Sequence, residues 1–138
     1  MYKDIATKIA WSYLGKPYLW GGDDPIAGFD CSGFIIEILK SVGMLPREGD
    51  WTAHGLYELF KAKEYDYPAE GHLALWGRTK EHITHVEYCL NYDLSIGASG
   101  GGSKTLTERD AIKQNAYIKI RPVKERNPIT YVDPFLRG

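Results

Sequence analysis

The chain has 138 residues and a nearly balanced charge, with 17 basic and 18 acidic side chains and a formal net charge of −1 at pH 7. A chain of this length can bury enough apolar surface to fold without disulfide or metal staples, so we expect residues 1–138 to form a single domain. The balanced charge argues against a nucleic-acid-binding or anionic-membrane surface as the main purpose of the fold. Two cysteines are too few for a disulfide framework.

The N-terminal segment MYKDIATKIAWSYLGKPY lacks the apolar run that follows the basic start of a secretory signal. No apolar stretch approaches the roughly 18 residues of a membrane helix, so we expect no membrane insertion. A protein that acted outside its cell would then need another route of release, or a signal absent from this sequence. The sequence predicts no particular localisation.

A short amphipathic helix is predicted over residues 4–14, since apolar side chains recur there at the spacing of one helical face. The predicted inward face consists of Ile5, Ala6, Ile9, Ala10, Tyr13 and Leu14. Gly15 and Pro17 end the pattern. Residues 15–28 then concentrate glycine and proline in a loop that is long for a compact domain, and long loops are often functional.

Two further helices are predicted before residue 68. Asp30 is a good N-cap for the first of them, which Gly43 ends. Its broad apolar stripe consists of Phe34, Ile35, Ile38, Leu39 and Val42. A weaker helix covers residues 52–63, and its predicted inward face consists of Leu56, Leu59 and Phe60.

After Pro68 the apolar pattern changes to the period of two that is typical of strands. The predicted strands cover residues 72–76, 85–90, 94–99 and 116–123. A glycine-rich loop and a turn or two of helix separate the last two strands, and the tail from residue 127 is expected to be irregular. Helices first and an antiparallel sheet afterwards predict an α+β fold.

Cys31 lies where the second helix begins, next to the glycine-rich loop. The unpaired N–H groups and the dipole at a helix N-terminus favour negative charge, and therefore the thiolate form that acts as a nucleophile. The alternative is a small buried hydrophobic side chain, which is how we interpret Cys89. The adjoining loop favours the nucleophile for Cys31, because a core cysteine does not need one.

Thiol catalysis also needs a base that takes the proton and returns it to the leaving group. The candidates are His54, His72, His82 and His85. Periodicity does not choose among them, since a lone histidine is more often a satisfied surface or core residue. Zinc binding is a competing interpretation, but only His82 and His85 have ligand spacing, and further ligands are hard to assemble around that pair.

Three stretches of the chain carry a resemblance to a known family. The segment GKPYLWGGDDPIAGFDCSGFI, at residues 15–35, is followed by EGHLALW and HVEYCL. Together they resemble the NlpC-type peptidoglycan cysteine peptidases, whose fold is similar to a reduced papain core. The loop that leads into D-C-S-G is the most specific part of the match.

The resemblance implies a role for each matching residue. Cys31 would be the nucleophile and His85 the base. Tyr18 would line the active site, and Asp30 and Ser32 would help to recognise the amino end of a stem peptide. The resemblance implies no metal and no other cofactor.

The chain departs from the family at the third catalytic position. Family members usually carry glycine two residues after the base, and a polar residue, often histidine, on the following strand. Here position 87 is glutamate and position 97 is glycine. If residues 91–93 form the hairpin loop, Glu87 lies opposite Gly97 and on the same face as His85. We therefore hypothesise that Glu87 replaces the usual orienting group. A solvated strand residue is the alternative, and Ser99 is a weaker substitute.

The implied activity is hydrolysis of an amide in peptidoglycan stem peptides, most often between D-glutamate and a diamino acid. An N-acetylmuramoyl-L-alanine amidase is the alternative within the same chemistry, and a noncatalytic peptidoglycan-binding or phage structural protein is the alternative outside it. We expect a monomer that acts on the cell wall or on its released fragments. A phage-encoded protein, released at lysis or carried in a virion, is compatible with this expectation.

Overall fold

The chain order of helices and strands follows the predicted division into a helical half and a sheet half. A computed structural model describes residues 2–24, 28–46 and 48–136. The helices are α1 (Tyr2–Ser12), α2 (Cys31–Ser41), α3 (Ala53–Phe60) and α4 (Glu108–Lys113), with 3₁₀ turns at Lys61–Lys63 and Lys124–Arg126. The strands are β1 (Asp23–Asp24), β2 (Gly28–Phe29), β3 (Glu64–Tyr65), β4 (Leu73–Gly77), β5 (Ile83–Cys89), β6 (Leu94–Ser99), β7 (Tyr117–Pro122) and β8 (Thr130–Val132). Residues 25–27 of the predicted loop, and both ends of the predicted domain, lie outside the described residues.

The predicted α+β class is confirmed. A six-stranded sheet has the order β3-β8-β4-β5-β6-β7, and β1 and β2 form a separate two-stranded pair. The pairings within the six-stranded sheet are all antiparallel. Helices α2 and α3 pack on β5, and α1 packs on α2. The largest fully buried apolar side chains of this core are Phe29, Phe34, Ile35, Ile38, Leu39, Leu56, Leu73, Leu75, Tyr88, Ile96 and Ile118.

Helix α2 begins and ends where the sequence predicts. The Asp30 side chain accepts a hydrogen bond from the Gly33 backbone N–H, which is the N-cap contact. All five residues of its predicted apolar stripe are buried. Gly43 follows the helix with a φ of +76°, a left-handed conformation that glycine adopts without a steric penalty. The start of α2 is thus set by its cap, and its orientation by the stripe.

The predicted inward faces of the other two helices are partly wrong. Ile5 and Leu14 of the first helix, and Leu59 of the third, are 44%, 46% and 49% exposed. The buried residues of α3 are Ala53, Leu56, Tyr57 and Phe60. They follow the i, i+3, i+4, i+7 spacing of a single stripe, from which Leu59 is displaced. In the first helix Ala6, Ile9, Ala10 and Tyr13 have the same spacing, which leaves Ile5 and Leu14 at its margins.

The sheet confirms the predicted hairpin register between β5 and β6. Tyr88 pairs with Ile96, and Cys89 pairs with Ser95. Strand β5 starts two residues earlier than predicted and contains a bulge. Trp76 pairs with His85 while Gly77 pairs with Ile83, so Thr84 between them has no partner on β4. Such bulges re-aim neighbouring side chains and are frequent next to active sites.

The tail from residue 127 is not irregular, which corrects the prediction. Thr130–Val132 forms β8, which inserts between β3 and β4 in the sheet. A strand of 3 residues is too short to show the period of two by which strands are recognised. Among the described helices none is long and apolar enough to cross a membrane.

Candidate active site

The thiol of Cys31 lies at the first residue of α2, and Asp30 fixes the backbone around it. One Asp30 carboxylate oxygen accepts from the Gly33 N–H at 2.7 Å, and the other accepts from the Gly21 N–H at 3.0 Å. The same carboxylate therefore caps the helix and holds the glycine-rich loop against it. A Cβ atom at Gly33 would overlap the carbonyl oxygen of Gly22, so this close approach requires glycine.

The bulge in β5 faces the same thiol. Cys31 is half-buried, and its Sγ lies 4.0 Å from the carbonyl oxygen of Thr84, the unpaired bulge residue. The next residue along the strand is His85, and the proximity of Cys31 contributes to the raised pKa of the His85 imidazole. The structure thus brings together the two residues predicted as nucleophile and base, although they are far apart in the sequence.

His85 is held by a buried carboxylate. Its Nε2 lies 2.7 Å from Oε2 of Glu87. Because a carboxylate can only accept, Nε2 carries the hydrogen, and Nδ1 is the ring nitrogen left for the thiol. Burial by itself would lower the pKa of His85, but interactions with Cys31 and Glu87 outweigh it and raise the pKa from 6.5 to about 9. The site therefore favours the imidazolium form.

Glu87 is not a solvated strand residue, since only 1% of its side chain is exposed. Arg126 donates to both carboxylate oxygens, at 3.0 Å and 2.9 Å. Arg121 donates to Oε2 at 3.1 Å, and the Ser95 hydroxyl donates to Oε1 at 2.7 Å. Burial opposes ionisation, but the hydrogen bonds from His85 and Arg126 prevail and hold the pKa of Glu87 well below its usual value.

Sequence reasoning missed the two arginines. Arg121 lies on β7, opposite Ser95 in the β6–β7 register, and Arg126 lies in the 3₁₀ turn that follows. The register would have placed Arg121 near Glu87 once the β6–β7 pairing was known. Arg126 follows the strand in an irregular turn, where no periodic pattern indicates where a side chain points.

The space next to Glu87 is available because residue 97 is glycine. A Cβ atom at Gly97 would overlap Cγ of Glu87 and would lie 2.9 Å from its Cδ. Glu87 therefore fills the position that a side chain at residue 97 would take, as the cross-strand register predicts. Ser99, the weaker candidate, is buried, and its hydroxyl has no hydrogen-bond partner within the described part of the chain.

The other histidines and the second cysteine lie elsewhere. His54 accepts from the Ile83 N–H at 3.3 Å, His72 is buried next to Tyr67, and His82 is exposed. Within residues 2–24, 28–46 and 48–136 no group of three or more His, Cys, Asp or Glu side chains could hold a metal ion. Cys89 is fully buried, and this burial raises its pKa.

A cleft of about 340 Å³ opens over the thiol. It is lined by Tyr18, Trp20, Gly21, Gly22, Asp30, Cys31, Ser32, Gly33, Asp50, Trp51, Thr52, Ala53, Ile83 and Thr84. The three residues predicted to bind substrate, Tyr18, Asp30 and Ser32, are all among them. Burial, followed by the charges of Cys31 and Asp30, raises the pKa of Tyr18 to about 12, so its phenol stays neutral and can donate a hydrogen bond.

A larger hollow of about 520 Å³ lies near β3 and β8. Its charged residues include Glu64 and Lys80, which pair with each other at 2.7 Å. Neither a cysteine nor a histidine is among its lining residues. We therefore place the candidate active site in the smaller cleft.

Comparison with known proteins agrees with this geometry. Residues 15–125 match the family model of the NlpC/P60 family. The chain belongs to the NlpC/P60 family. This confirms the resemblance seen in the sequence, and the family is one of cysteine peptidases.

Named relatives of this NlpC/P60 chain include two proteins of Bacillus subtilis. The bifunctional muramidase/DL-endopeptidase CwlT is 38% identical over 88 residues, which cover 62% of this chain and 26% of CwlT. The gamma-D-glutamyl-L-lysine dipeptidyl-peptidase is 51% identical over 45 residues, which cover 31% of this chain and 15% of that protein. The chain thus spans about a quarter or less of these relatives.

The solved NlpC/p60 domain of the peptidoglycan hydrolase SagA shares the fold over almost its whole length. Its TM-score is 0.72 at 26% sequence identity, and the match covers 95% of this chain and 97% of that structure. The match supports the assignment of one NlpC/P60 fold to most of this chain.

Proposed function

We propose that this protein is a cysteine endopeptidase that hydrolyses an amide in peptidoglycan stem peptides, with Cys31 as nucleophile and His85 as base. The observation that carries the proposal is a continuous set of contacts that leads from the cleft to a buried carboxylate. Cys31 lines the cleft, its Sγ lies 4.0 Å from the carbonyl oxygen of Thr84, the residue before His85, and Glu87 binds His85 at 2.7 Å. Nucleophile, base and orienting group are the parts that acyl transfer requires.

In this mechanism the thiolate attacks the carbonyl carbon of the scissile amide. The negative oxygen of the tetrahedral intermediate would lie near the first N–H groups of α2, which have no partner inside the helix. The imidazolium of His85 then protonates the leaving amine, and a thioester to Cys31 remains. His85 takes a proton from water, the resulting hydroxide attacks the thioester, and the thiolate is released.

Glu87 has the role of orienting group in this proposal. Its carboxylate fixes the hydrogen on Nε2, so that Nδ1 faces the thiol as a proton acceptor. It also compensates the positive charge of the imidazolium during the steps in which His85 holds the extra proton. The high pKa of His85 supports this role.

We further propose that the bond cut joins D-glutamate to a diamino acid. The names of the two Bacillus relatives, a DL-endopeptidase and a gamma-D-glutamyl-L-lysine dipeptidyl-peptidase, support this choice. The cleft also presents two carboxylates, Asp30 and Asp50, which suit the ammonium group of a stem peptide with a free amino end. An amidase would have to place a muramic acid group in the same region.

The test is incubation of the protein with bacterial sacculi and, separately, with soluble muropeptides, followed by mass spectrometry of the products. Cys31→Ala is the inactive variant, and Cys89→Ala is the matched control, because it removes the other thiol from a buried position. We expect γ-D-glutamyl fragments from the wild type and from Cys89→Ala only. Release of L-alanyl peptides would establish the amidase instead, and binding to sacculi without cleavage would establish a noncatalytic protein.

A further inference from the structure

The orienting carboxylate of Glu87 is itself held by a second layer of residues. Arg126 binds it as a fork, with one terminal nitrogen on each oxygen. The nitrogen that binds Oε1 also contacts the Ser95 hydroxyl at 2.8 Å, and Ser95 binds the same oxygen. Two parallel charge-assisted hydrogen bonds fix the plane of a carboxylate as well as its position.

Arg126 is held in turn by several contacts of its own. Its Nε donates to the Pro122 carbonyl oxygen, and its guanidinium lies 4.8 Å from the centre of the Trp76 ring. The Trp76 indole N–H donates to the Arg126 carbonyl oxygen at 2.9 Å. The Trp76 ring also lies 5.3 Å from the His85 ring. Arg126 is thus connected to the base through both Glu87 and Trp76.

We propose that Arg126 is a positioning residue for the catalytic pair: it fixes the Glu87 carboxylate so that Oε2 stays directed at Nε2 of His85. The inference rests on the proposed role of His85 as the base. Arg126 touches neither the thiol nor the cleft, so it acts only through Glu87 and Trp76.

Burial makes this second layer necessary. A carboxylate that is 1% exposed has almost no water to stabilise its charge, and burial alone would keep it protonated. A protonated Glu87 would carry no charge with which to stabilise the imidazolium. Arg121 contributes a single contact at 3.1 Å from a side chain that is 36% exposed, so it cannot fix the plane of the carboxylate.

Several titratable groups surround the pair and contribute to any pH profile. These groups are Cys31 from α2, Cys89 from β5, Lys119 and Arg121 from β7, and Arg126. We assign the alkaline side of the profile to the loss of the His85 proton, because the pKa of His85 is raised to about 9.

The test uses Arg126→Gln, with Lys124→Gln as the matched control. Lys124 lies in the same 3₁₀ turn, but it points to Asp93 and to the Tyr92 ring. Two experiments are made. The first measures kcat and KM on muropeptides. The second measures the rate at which iodoacetamide alkylates Cys31 as a function of pH, by mass spectrometry of the Cys31 peptide. Alkylation needs no substrate, so it reports on the inference even if the proposed activity is absent.

For Arg126→Gln we expect kcat to fall about 10-fold to 100-fold while KM stays within about twofold, because misdirection of the base affects the chemical step. The alkaline limb of Cys31 alkylation should move from about 9 towards the ordinary histidine value of 6.5. Lys124→Gln should keep the wild-type limb. A shifted limb in a protein that cleaves nothing would overturn the proposed function and support the positioning role.

Two further variants separate positioning from loss of structure. In a Glu87→Gln background, addition of Arg126→Gln should leave the alkaline limb unchanged, because the carboxylate through which Arg126 acts on His85 is already absent. If Arg126→Gln fails to fold, Arg126→Lys replaces it, because lysine keeps the charge but not the fork. Either of two results would overturn the inference. One is an alkaline limb of Cys31 alkylation at the wild-type pH in folded Arg126→Gln or in Arg126→Lys. The other is a full additional shift of that limb when Arg126→Gln is added to Glu87→Gln.

Discussion

The closeness of Gly97 to Glu87 makes Gly97→Ala a sharp test of the arrangement. The added Cβ would overlap Cγ of Glu87 and lie 2.9 Å and 3.0 Å from Cδ and Cβ. Glu87 cannot give way, because Arg126 fixes both of its carboxylate oxygens. We expect the overpacking to lower the free energy of unfolding by about 1–3 kcal/mol. For a domain of this size that corresponds to a fall in Tm of roughly 3–12 °C.

Gly102→Ala provides the matched control. A Cβ at Gly102 meets no atom within 4 Å, so this variant should keep the wild-type stability to within about 0.5 kcal/mol. Thermal and urea unfolding, followed by circular dichroism, would measure both variants under the same conditions. If Gly97→Ala unfolds at the same temperature as Gly102→Ala, Glu87 does not occupy the space beside residue 97, and the reasoning fails.

The double variant Glu87→Ala/Gly97→Ala shows whether the two positions are coupled. Glu87→Ala alone is destabilising because it leaves two arginines without their carboxylate. In that background the methyl group of Gly97→Ala has room, so its additional cost should largely disappear. We expect a coupling free energy of about 1–3 kcal/mol between the two substitutions. Simple additivity would show that the cost of a side chain at position 97 does not depend on Glu87.

Three other predictions concern the thiols, the buried carboxylate and the cleft. Iodoacetamide at neutral pH should label Cys31 at least about tenfold faster than the fully buried Cys89, as peptide mass spectrometry would show, and equal slow labelling would count against a catalytic Cys31. The pKa of Glu87 is lowered by folding, so its contribution to stability is complete above its unfolded pKa and is lost as the pH falls through its folded pKa. The free energy of unfolding should therefore decrease less steeply between about pH 5 and pH 2 in Glu87→Gln than in the wild type. An equal slope of unfolding free energy against pH in the two proteins would refute this. Asp30→Asn keeps an oxygen for the Gly33 cap but loses the charge and the acceptor for the Gly21 N–H. It should raise KM about tenfold for stem peptides with a free amino end and much less for N-acetylated ones. Equal effects on both would assign the change to the lost loop contact and exclude recognition of the ammonium group.

Local signals in the sequence predicted the parts of the fold that lie close together in the chain. The cap at Asp30 and the stripe behind it placed α2 because both are properties of one helix. The register of β5 and β6 followed from the length of a single hairpin loop. Strand β8 could not be predicted in this way, since its partners, Glu64–Tyr65 and Leu73–Gly77, lie far from it in the chain and β8 itself has only 3 residues.

The same restriction to local signals explains which contacts of the candidate active site the sequence did not predict. The contact between His85 and Glu87 follows from the alternation of side chains on one strand, and the sequence predicted it. The arginines come from β7 and from the turn after it, so their contacts depend on tertiary packing. The bulge at Thr84 was also missed, because a bulge adds one residue without changing the composition of the strand.

The presence of the arginines follows from the choice of glutamate at position 87. A histidine on the neighbouring strand, which members of the family often carry at the position of Gly97, can orient the base as a neutral group and needs no counter-ion. A carboxylate in the same buried space carries a full charge, which is costly unless cations compensate it. In the proposed mechanism His85 gives up its extra proton to the leaving amine, so the imidazolium alone cannot serve as that partner throughout the reaction. Arg126 and Arg121 keep the carboxylate compensated at that moment. When a glutamate on the same strand as the base replaces the usual third catalytic residue, permanently charged cationic side chains must therefore lie next to its carboxylate.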